Sequence, residues 1–272
     1  MENQFDVTGK VVVITGGTGV LGAALAQGLA AQGARVAVLG RSADKGGAVV
    51  ASIRDAGHEA DFFAIDVTNK QDCGTVADAV ANKFGSVDAL INAAGGNHPD
   101  ATATPGKSFF DLDDAALRYV MDLNALGTIL PCQAFGRWMA DQKSGSIVNI
   151  SSMAALQPLT RVVGYAASKA AVTNFTQWLS VYMCQHVGPG VRVNAVAPGF
   201  FLTEQNRFLL TERETGDLTD RGRTIIQHTP MGRFGEPDEL LGAVQWLLSS
   251  AAKFVTGIVV PVDGGFSAFS GV

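Results

Sequence analysis

Cysteine is scarce in this chain: Cys73, Cys132 and Cys184 are too few and too widely spaced for a disulfide framework. Their apolar neighbours predict reduced core thiols in a cytoplasmic protein. No group of His, Cys, Asp or Glu has metal-ligand spacing, so no metal is expected. Long apolar runs are missing too, and nothing is continuously apolar over the ~20 residues a bilayer span requires. Residues 1–6 have neither a basic nor an apolar leader character, so no secretion signal and no membrane partner are expected. The net charge of -5 comes without a basic block, which argues against nucleic acid as a partner. Linkers, repeats and low-complexity tracts are also lacking, so residues 1–272 read as one domain.

Glycine and apolar residues are abundant, with 32 glycines and 47% hydrophobic residues among 272, enough for a full core. Short β-branched runs lie at 10–15, 34–39, 60–65, 88–92, 145–150, 191–196 and 257–261. They alternate with helical stretches at about 21–32, 44–56, 70–84, 115–142, 165–186 and 237–249. This rhythm predicts an α/β fold, a doubly wound parallel sheet of about seven strands with helices on both faces. Residues 200–233 break it. They are charged, Thr-rich and too long for a plain connection, which predicts a lid over a site.

The turn after the first strand contains Gly16, Gly17, Thr18, Gly19, Leu21 and Gly22. Glycines between a strand and a helix allow close approach of backbone to a diphosphate at the helix N-terminus, a Rossmann-type signal. The second strand ends in Gly40, Arg41 and Ser42 where a carboxylate would accept from a ribose hydroxyl. A cation and a hydroxyl there suit a 2′-phosphate, so NADP is favoured over NAD. Asp66, after the third strand, is placed to accept from the adenine amino group. Asn92, Ala93, Ala94 and Gly95, after the fourth, would let the backbone pass close to the cofactor.

Tyr165 and Lys169 are four residues apart, one helical turn, and Ser152 lies upstream. A cation beside a phenol favours the phenolate and would let a group of pKa ~10 act as acid or base near neutrality.

These pieces, with Val67, Asn124, Pro198, Gly199, Thr203 and a Val-Asp-Gly-Gly sequence at 262–265, resemble the short-chain dehydrogenase/reductase family along nearly the whole sequence. The resemblance implies a nicotinamide cofactor, Tyr165 as general acid/base, and Ser152 as hydrogen-bond partner of the substrate oxygen. It also implies that Lys169 holds the nicotinamide ribose and lowers the tyrosine, and that Asn124 holds a water connecting Lys169 to solvent. Pro198, Gly199 and Thr203 would shape the nicotinamide pocket, and the helices at 115–142 and 165–186 would pair within a homotetramer. One departure is Val20, which stands at the second glycine of the family's Thr-Gly-x-x-x-Gly-x-Gly turn and bears on the cofactor pose.

Further stretches, at 95–99, 174–178, 198–207 and 228–234, are similar to a subgroup of that family, its D-mannonate oxidoreductases or fructuronate reductases. That similarity implies a sugar-acid substrate, whose carboxylate calls for a planar cation or a cluster of donors. Asn97, His98, Arg161, Asn206 and Arg207 are the candidates, while Glu204 reads as solubilising charge. The alternatives are a gluconate-type dehydrogenase, a 3-oxoacyl-thioester reductase, and a nucleotide-binding regulator without turnover. The last is disfavoured because Ser152, Tyr165, Lys169 and Asn124 are all retained.

Overall fold

Successive residues of the first strand, β1 (Val11–Thr15), face two different cores. Val12 and Ile14 pack into one, Val11 and Val13 into the other, and all four are fully buried. The second strand, β2 (Arg35–Gly40), divides in the same way, with Val36 and Val38 opposite Ala37 and Leu39. A strand covered on both faces has no polar alternation, which is why these runs are continuously apolar. Each such side chain contributes about 1.5–3 kcal/mol by leaving water.

The structure, a computed structural model, describes residues 3–202, 207, 210–212 and 215–271. The remaining strands are β3 (Ala60–Ala64), β4 (Ala89–Asn92), β5 (Gly145–Ile150), β6 (Val191–Pro198) and β7 (Val259–Val262). All pairings are parallel, in the order β3-β2-β1-β4-β5-β6-β7. One face is covered by α1 (Val20–Ala31), α2 (Ala43–Asp55) and a late helix at Leu241–Leu248. The other is covered by α3 (Lys70–Phe84), a helix at Gly127–Gln142 and one at Val163–His186. The sheet winds away in both directions from β1, which pairs with β2 through Val13–Ala37 and with β4 through Val13–Leu90. A crevice opens at the carboxyl ends of β1 and β4, where ligands bind in sheets of this kind.

Two expectations need correction. The helix expected at 115–142 is not continuous: α4 (Asp114–Met121) passes through a wide π-type turn at Asp122–Leu126 into α5 (Gly127–Gln142). Pro131, with no N–H to offer the Gly127 carbonyl, sits just beyond the irregularity. Cys73 and Cys132 are buried as expected, but Cys184 is exposed, because it lies on the outward side of α6 (Val163–His186).

The described residues of the 200–233 segment carry more secondary structure than their composition suggests. Phe201 forms a parallel bridge to Gly235, and Thr211 an antiparallel one to Leu218. An unanticipated helix, α7 (Asp220–Gln227), then starts at Thr219, whose hydroxyl accepts from Gly222 N at 3.0 Å. Its Ile225 is buried. The polypeptide continues through α8 (Leu241–Leu248) into β7. Among the described residues no helix is long and apolar enough to cross a membrane.

Candidate active site

The turn after β1 is folded tightly against the segment leaving β4. Gly16 has φ +65°, and a β-carbon on it would lie 2.6 Å from the Ala94 nitrogen. A β-carbon on Gly22 would lie 2.2 Å from the Gly16 carbonyl oxygen. Ala94 N donates to Thr15 Oγ1 at 3.3 Å, which fixes the Ala93–Ala94 backbone beside the turn. Val20 opens α1 directly after the N-cap Gly19 and needs no left-handed backbone, so its departure from the glycine pattern is absorbed by the helix. No side chain caps α1 and its first turn has no acid. Its free N–H groups and the positive end of its dipole therefore suit an anion, as the diphosphate of a dinucleotide requires.

At the far end of this crevice Thr18 packs over Gly40. A β-carbon at Gly40 would come within 2.7 Å of the Thr18 hydroxyl, so a carboxylate-bearing residue at position 40 would displace it. Arg41 is exposed beside it, and Ser42 caps α2 by accepting from Lys45 N at 3.4 Å. Asp66 accepts from the Thr68 hydroxyl at 2.7 Å and the Thr68 amide at 2.9 Å. These bonds hold its carboxyl below the usual range, and the Arg41 charge acts in the same direction. Val67 is buried against Gly127.

Asn92 is anchored through its side chain. Its Nδ2 donates to Asn149 Oδ1 at 2.9 Å and reaches Cys132 Sγ at 3.1 Å, and Asn149 Nδ2 donates in turn to Thr176 Oγ1 at 2.9 Å. All are buried. The side chain ties β4 to β5 and α5, and through Asn149 to α6, while its Oδ1 is buried without a hydrogen-bond partner among the described residues.

Ser152 leaves β5 and accepts from Ala154 N at 3.1 Å, starting a short 3-10 turn at Met153–Ala155. Tyr165 and Lys169 lie in the first turns of α6. Lys169 is buried, donates from Nζ to the Ile150 carbonyl at 2.7 Å, and sits 5.7 Å from the centre of the Tyr165 ring. Burial brings the Lys169 ammonium down to about 8. Burial also raises the Tyr165 phenol above its ordinary value, opposed by the Ser152 hydroxyl beside it. The phenol's shift thus runs opposite to the expected lowering, because burial disfavours the phenolate. Ser152, Tyr165 and Lys169 nonetheless meet at one place, where a phenol can pass a proton to an oxygen held by the serine hydroxyl.

Asn124 is buried within the π-type turn, and its amide grips one residue of the loop after β4. Nδ2 donates to the carbonyl oxygens of Gly96 and Val120, both at 2.7 Å, and Oδ1 accepts from Gly96 N at 3.1 Å. Gly95 lies against both polar groups: a β-carbon there would be 2.7 Å from Asn124 Oδ1 and 3.2 Å from Lys169 Nζ. The grip on Gly96 is not legible in the sequence, since no local spacing links residues 28 apart.

Of the residues expected at the substrate, Asn97 donates to Thr102 Oγ1 at 2.8 Å, and His98 Nδ1 accepts from Asp100 N at 3.1 Å. Both side chains therefore serve the folding of their own loop, whose backbone needs local partners. Arg161 has the left-handed φ of 82°, its carbonyl accepts from Ala103 N at 2.9 Å, and its side chain is exposed, as is that of Arg207. Thr203, Glu204 and Asn206 lie outside the described residues. Pro198 ends β6, and Gly199 packs so closely that a β-carbon would lie 2.7 Å from Asp263. Asp263, part of the Asp-Gly-Gly turn, accepts from Gly265 N and Ser267 N. Gln157, with no signal in the sequence, donates to Ser267 O at 2.7 Å and joins the loop after Ser152 to this C-terminal segment.

A dinucleotide crevice and a proton donor meeting at the carboxyl edge of one parallel sheet are the parts of a nicotinamide-dependent oxidoreductase acting on CH–OH groups. The protein belongs to the short chain dehydrogenase family, whose model matches residues 10–214. An uncharacterized oxidoreductase of Bacillus subtilis, UxuB, is 47% identical over 276 residues covering 98% of each protein. A crystal structure of a candidate D-mannonate oxidoreductase from Haemophilus influenzae with bound NAD superposes with a TM-score of 0.91 at 42% identity, covering 98% of each protein. A gluconate 5-dehydrogenase from Burkholderia cenocepacia in complex with NADP and tartrate gives 0.86 at 31% identity, again covering 98% of each.

Proposed function

We propose that this enzyme interconverts a keto group and a hydroxyl group of a sugar acid, with D-fructuronate and D-mannonate as the first pair to test. The observation that carries the reading is the meeting of Ser152, Tyr165 and the buried Lys169 beside the uncapped glycine turn. In the reducing direction a bound nicotinamide would be the hydride source for the carbonyl carbon. Ser152 Oγ hydrogen-bonds the carbonyl oxygen, and Tyr165 Oη gives it a proton. Lys169 binds the nicotinamide ribose, and Asn124 fixes the loop carrying Gly95 and Gly96 against that site. Pro198, Gly199 and Thr203 border the nicotinamide. The two similar structures named for sugar-acid enzymes support the substrate class.

NADP is favoured over NAD in this reading, with Arg41 and Ser42 receiving the 2′-phosphate where Thr18 leaves no room for a carboxylate. Gly16, Gly17, Gly19, Leu21 and Gly22 hold the diphosphate, and Asp66 and Val67 the adenine. The single domain carries a lid at about 200–233, with Arg207 on it. The assembly is a homotetramer formed through α5 and α6, supported by an exposed ladder of stacked rings on α6. Trp178 and Tyr182 are 5.2 Å apart between centres, and Tyr182 and His186 4.4 Å. Buried thiols with raised pKa at Cys73 and Cys132 accord with a cytoplasmic enzyme.

The test is nicotinamide absorbance with NADPH and NADH against D-fructuronate, 5-keto-D-gluconate and an acetoacetyl thioester. Turnover of the keto sugar acids supports the reading; turnover of the thioester alone would contradict it.

A further inference from the structure

Among the described residues several arginines that bear on packed surfaces have partners. Arg35 pairs with Glu59, Arg54 with Asp61, Arg118 with Asp114, and Arg233 with Glu239. The buried Arg192 donates to the carbonyl oxygens of Leu247, Ser249 and Val255. Arg221, in the first turn of α7, is half-buried yet forms no ion pair or hydrogen bond among the described residues. Its neighbour Asp220 is taken by Arg223 at 2.6 Å. A guanidinium withdrawn from water without an anion is costly, and such groups are normally paired.

What faces Arg221 makes the cost larger. Burial lowers its pKa, and the like charge of Arg161 lowers it further. Arg161 has no ion pair among the described residues either. It stands in the loop that joins Ser152 to Tyr165, four residues before the tyrosine, in a left-handed conformation that a non-glycine residue keeps only where its surroundings impose it. The bond from Ala103 N to the Arg161 carbonyl supplies that constraint from the loop after β4. Arg221 comes from the segment after β6. Both guanidiniums thus belong to the segments that leave the carboxyl edge of the sheet, the edge where Ser152 and Tyr165 stand.

We infer that Arg161 and Arg221 form a two-arginine clamp for the carboxylate of the substrate. Two guanidiniums on segments that leave the same edge of the sheet, neither with an acid of its own, suit an anion with two oxygens, and a carboxylate between them would offset the uncompensated burial of Arg221. The inference rests on the sugar-acid reading and deepens it. It assigns the specificity for an acid to Arg161 and Arg221, while Asn97 and His98 are occupied by their own loop. Arg221 would then make α7 part of the lid, since the clamp is complete only when α7 is in place.

D-Fructuronate and D-fructose, which differ by a carboxylate against a hydroxymethyl group, separate the charge from the rest of the sugar. The ratio of kcat/KM for the two should fall at least 30-fold in Arg221→Met, carried mainly by KM for the acid, with Arg221→Lys recovering part of it. Arg161→Met should act in the same direction. An unchanged ratio in both methionine variants overturns the clamp. If the wild-type enzyme reduces no keto sugar acid, the functional reading fails by itself, and the clamp is then judged by calorimetric titration of the NADP-loaded protein with D-gluconate. Binding weakened at least 10-fold in Arg221→Met supports it; equal affinity, or none in the wild type, overturns it.

Discussion

Lys169 Nζ and the Ile150 carbonyl oxygen are 2.7 Å apart, and this one bond is the ammonium's partner in a buried site. One neutral acceptor does not replace the water lost on burial, which is why Lys169 falls from 10.5 to about 8. The folded protein releases this proton near pH 8, whereas the unfolded polypeptide keeps it to about 10.5. Between those values the unfolded state binds more protons, so this group's contribution to stability rises with pH across that window and is flat below it. Thermal melts of cofactor-free wild type and Lys169→Met should therefore show a difference that moves in favour of the wild type from pH 8 to pH 10. A difference constant over that range would refute the burial argument.

Gly95→Ala tests how closely the proton-transfer groups are packed. The added methyl would have to share space with Asn124 Oδ1 at 2.7 Å and Lys169 Nζ at 3.2 Å. Displacements on the scale of an ångström cost about 10²-fold in rate, so kcat should drop by about that factor, with a smaller change in cofactor affinity. Steady-state kinetics with fluorescence titration of the cofactor would check it. A kcat within twofold of wild type would mean that this contact does not position the site.

Arg41→Ala addresses the choice between cofactors. Losing a charge-assisted pair with a 2′-phosphate should weaken NADPH by about 10-fold or more, a cost of roughly 1.5–3 kcal/mol. NADH, which has no such phosphate, should change by less than threefold. Equal effects on the two in direct binding measurements would show that Arg41 does not read the phosphate.

Trp178→Glu addresses assembly. Trp178 is 58% exposed although its ring is large and stacked on Tyr182, and a carboxylate placed on a dry symmetric contact would meet its own copy. Sedimentation velocity should show the wild type as a tetramer and the variant as smaller species. Identical distributions would remove this face from the interface.

The parts of the molecule legible in the sequence are those fixed by local pattern. β1 and β2 are covered on both faces and so read as unbroken apolar runs; the glycine turn, the Tyr165–Lys169 spacing and Ser152 are likewise short-range signals. What escapes depends on distant partners. The break at Asp122–Leu126 comes with Asn124 reaching Gly96, and the Asn92 side chain bonds Asn149 and Cys132 across the sheet interior. Asn97 and His98 look like ligands because they stand at the right edge, yet their nearest partners are in their own loop. Helix α7 is hidden in a charged segment whose apolar face is only Ile225 and its neighbours. The direction of the Tyr165 shift runs against the expectation because spacing shows a nearby cation but not the burial that raises the phenol.

The central claim is that Tyr165 is the proton donor beside a bound nicotinamide, and Tyr165→Phe tests it most directly. Removing only the hydroxyl should lower kcat for keto-acid reduction by about 10²–10⁴-fold, the usual worth of a positioned acid, while NADPH still binds with near wild-type affinity by fluorescence titration. A variant that retains wild-type turnover would contradict the account.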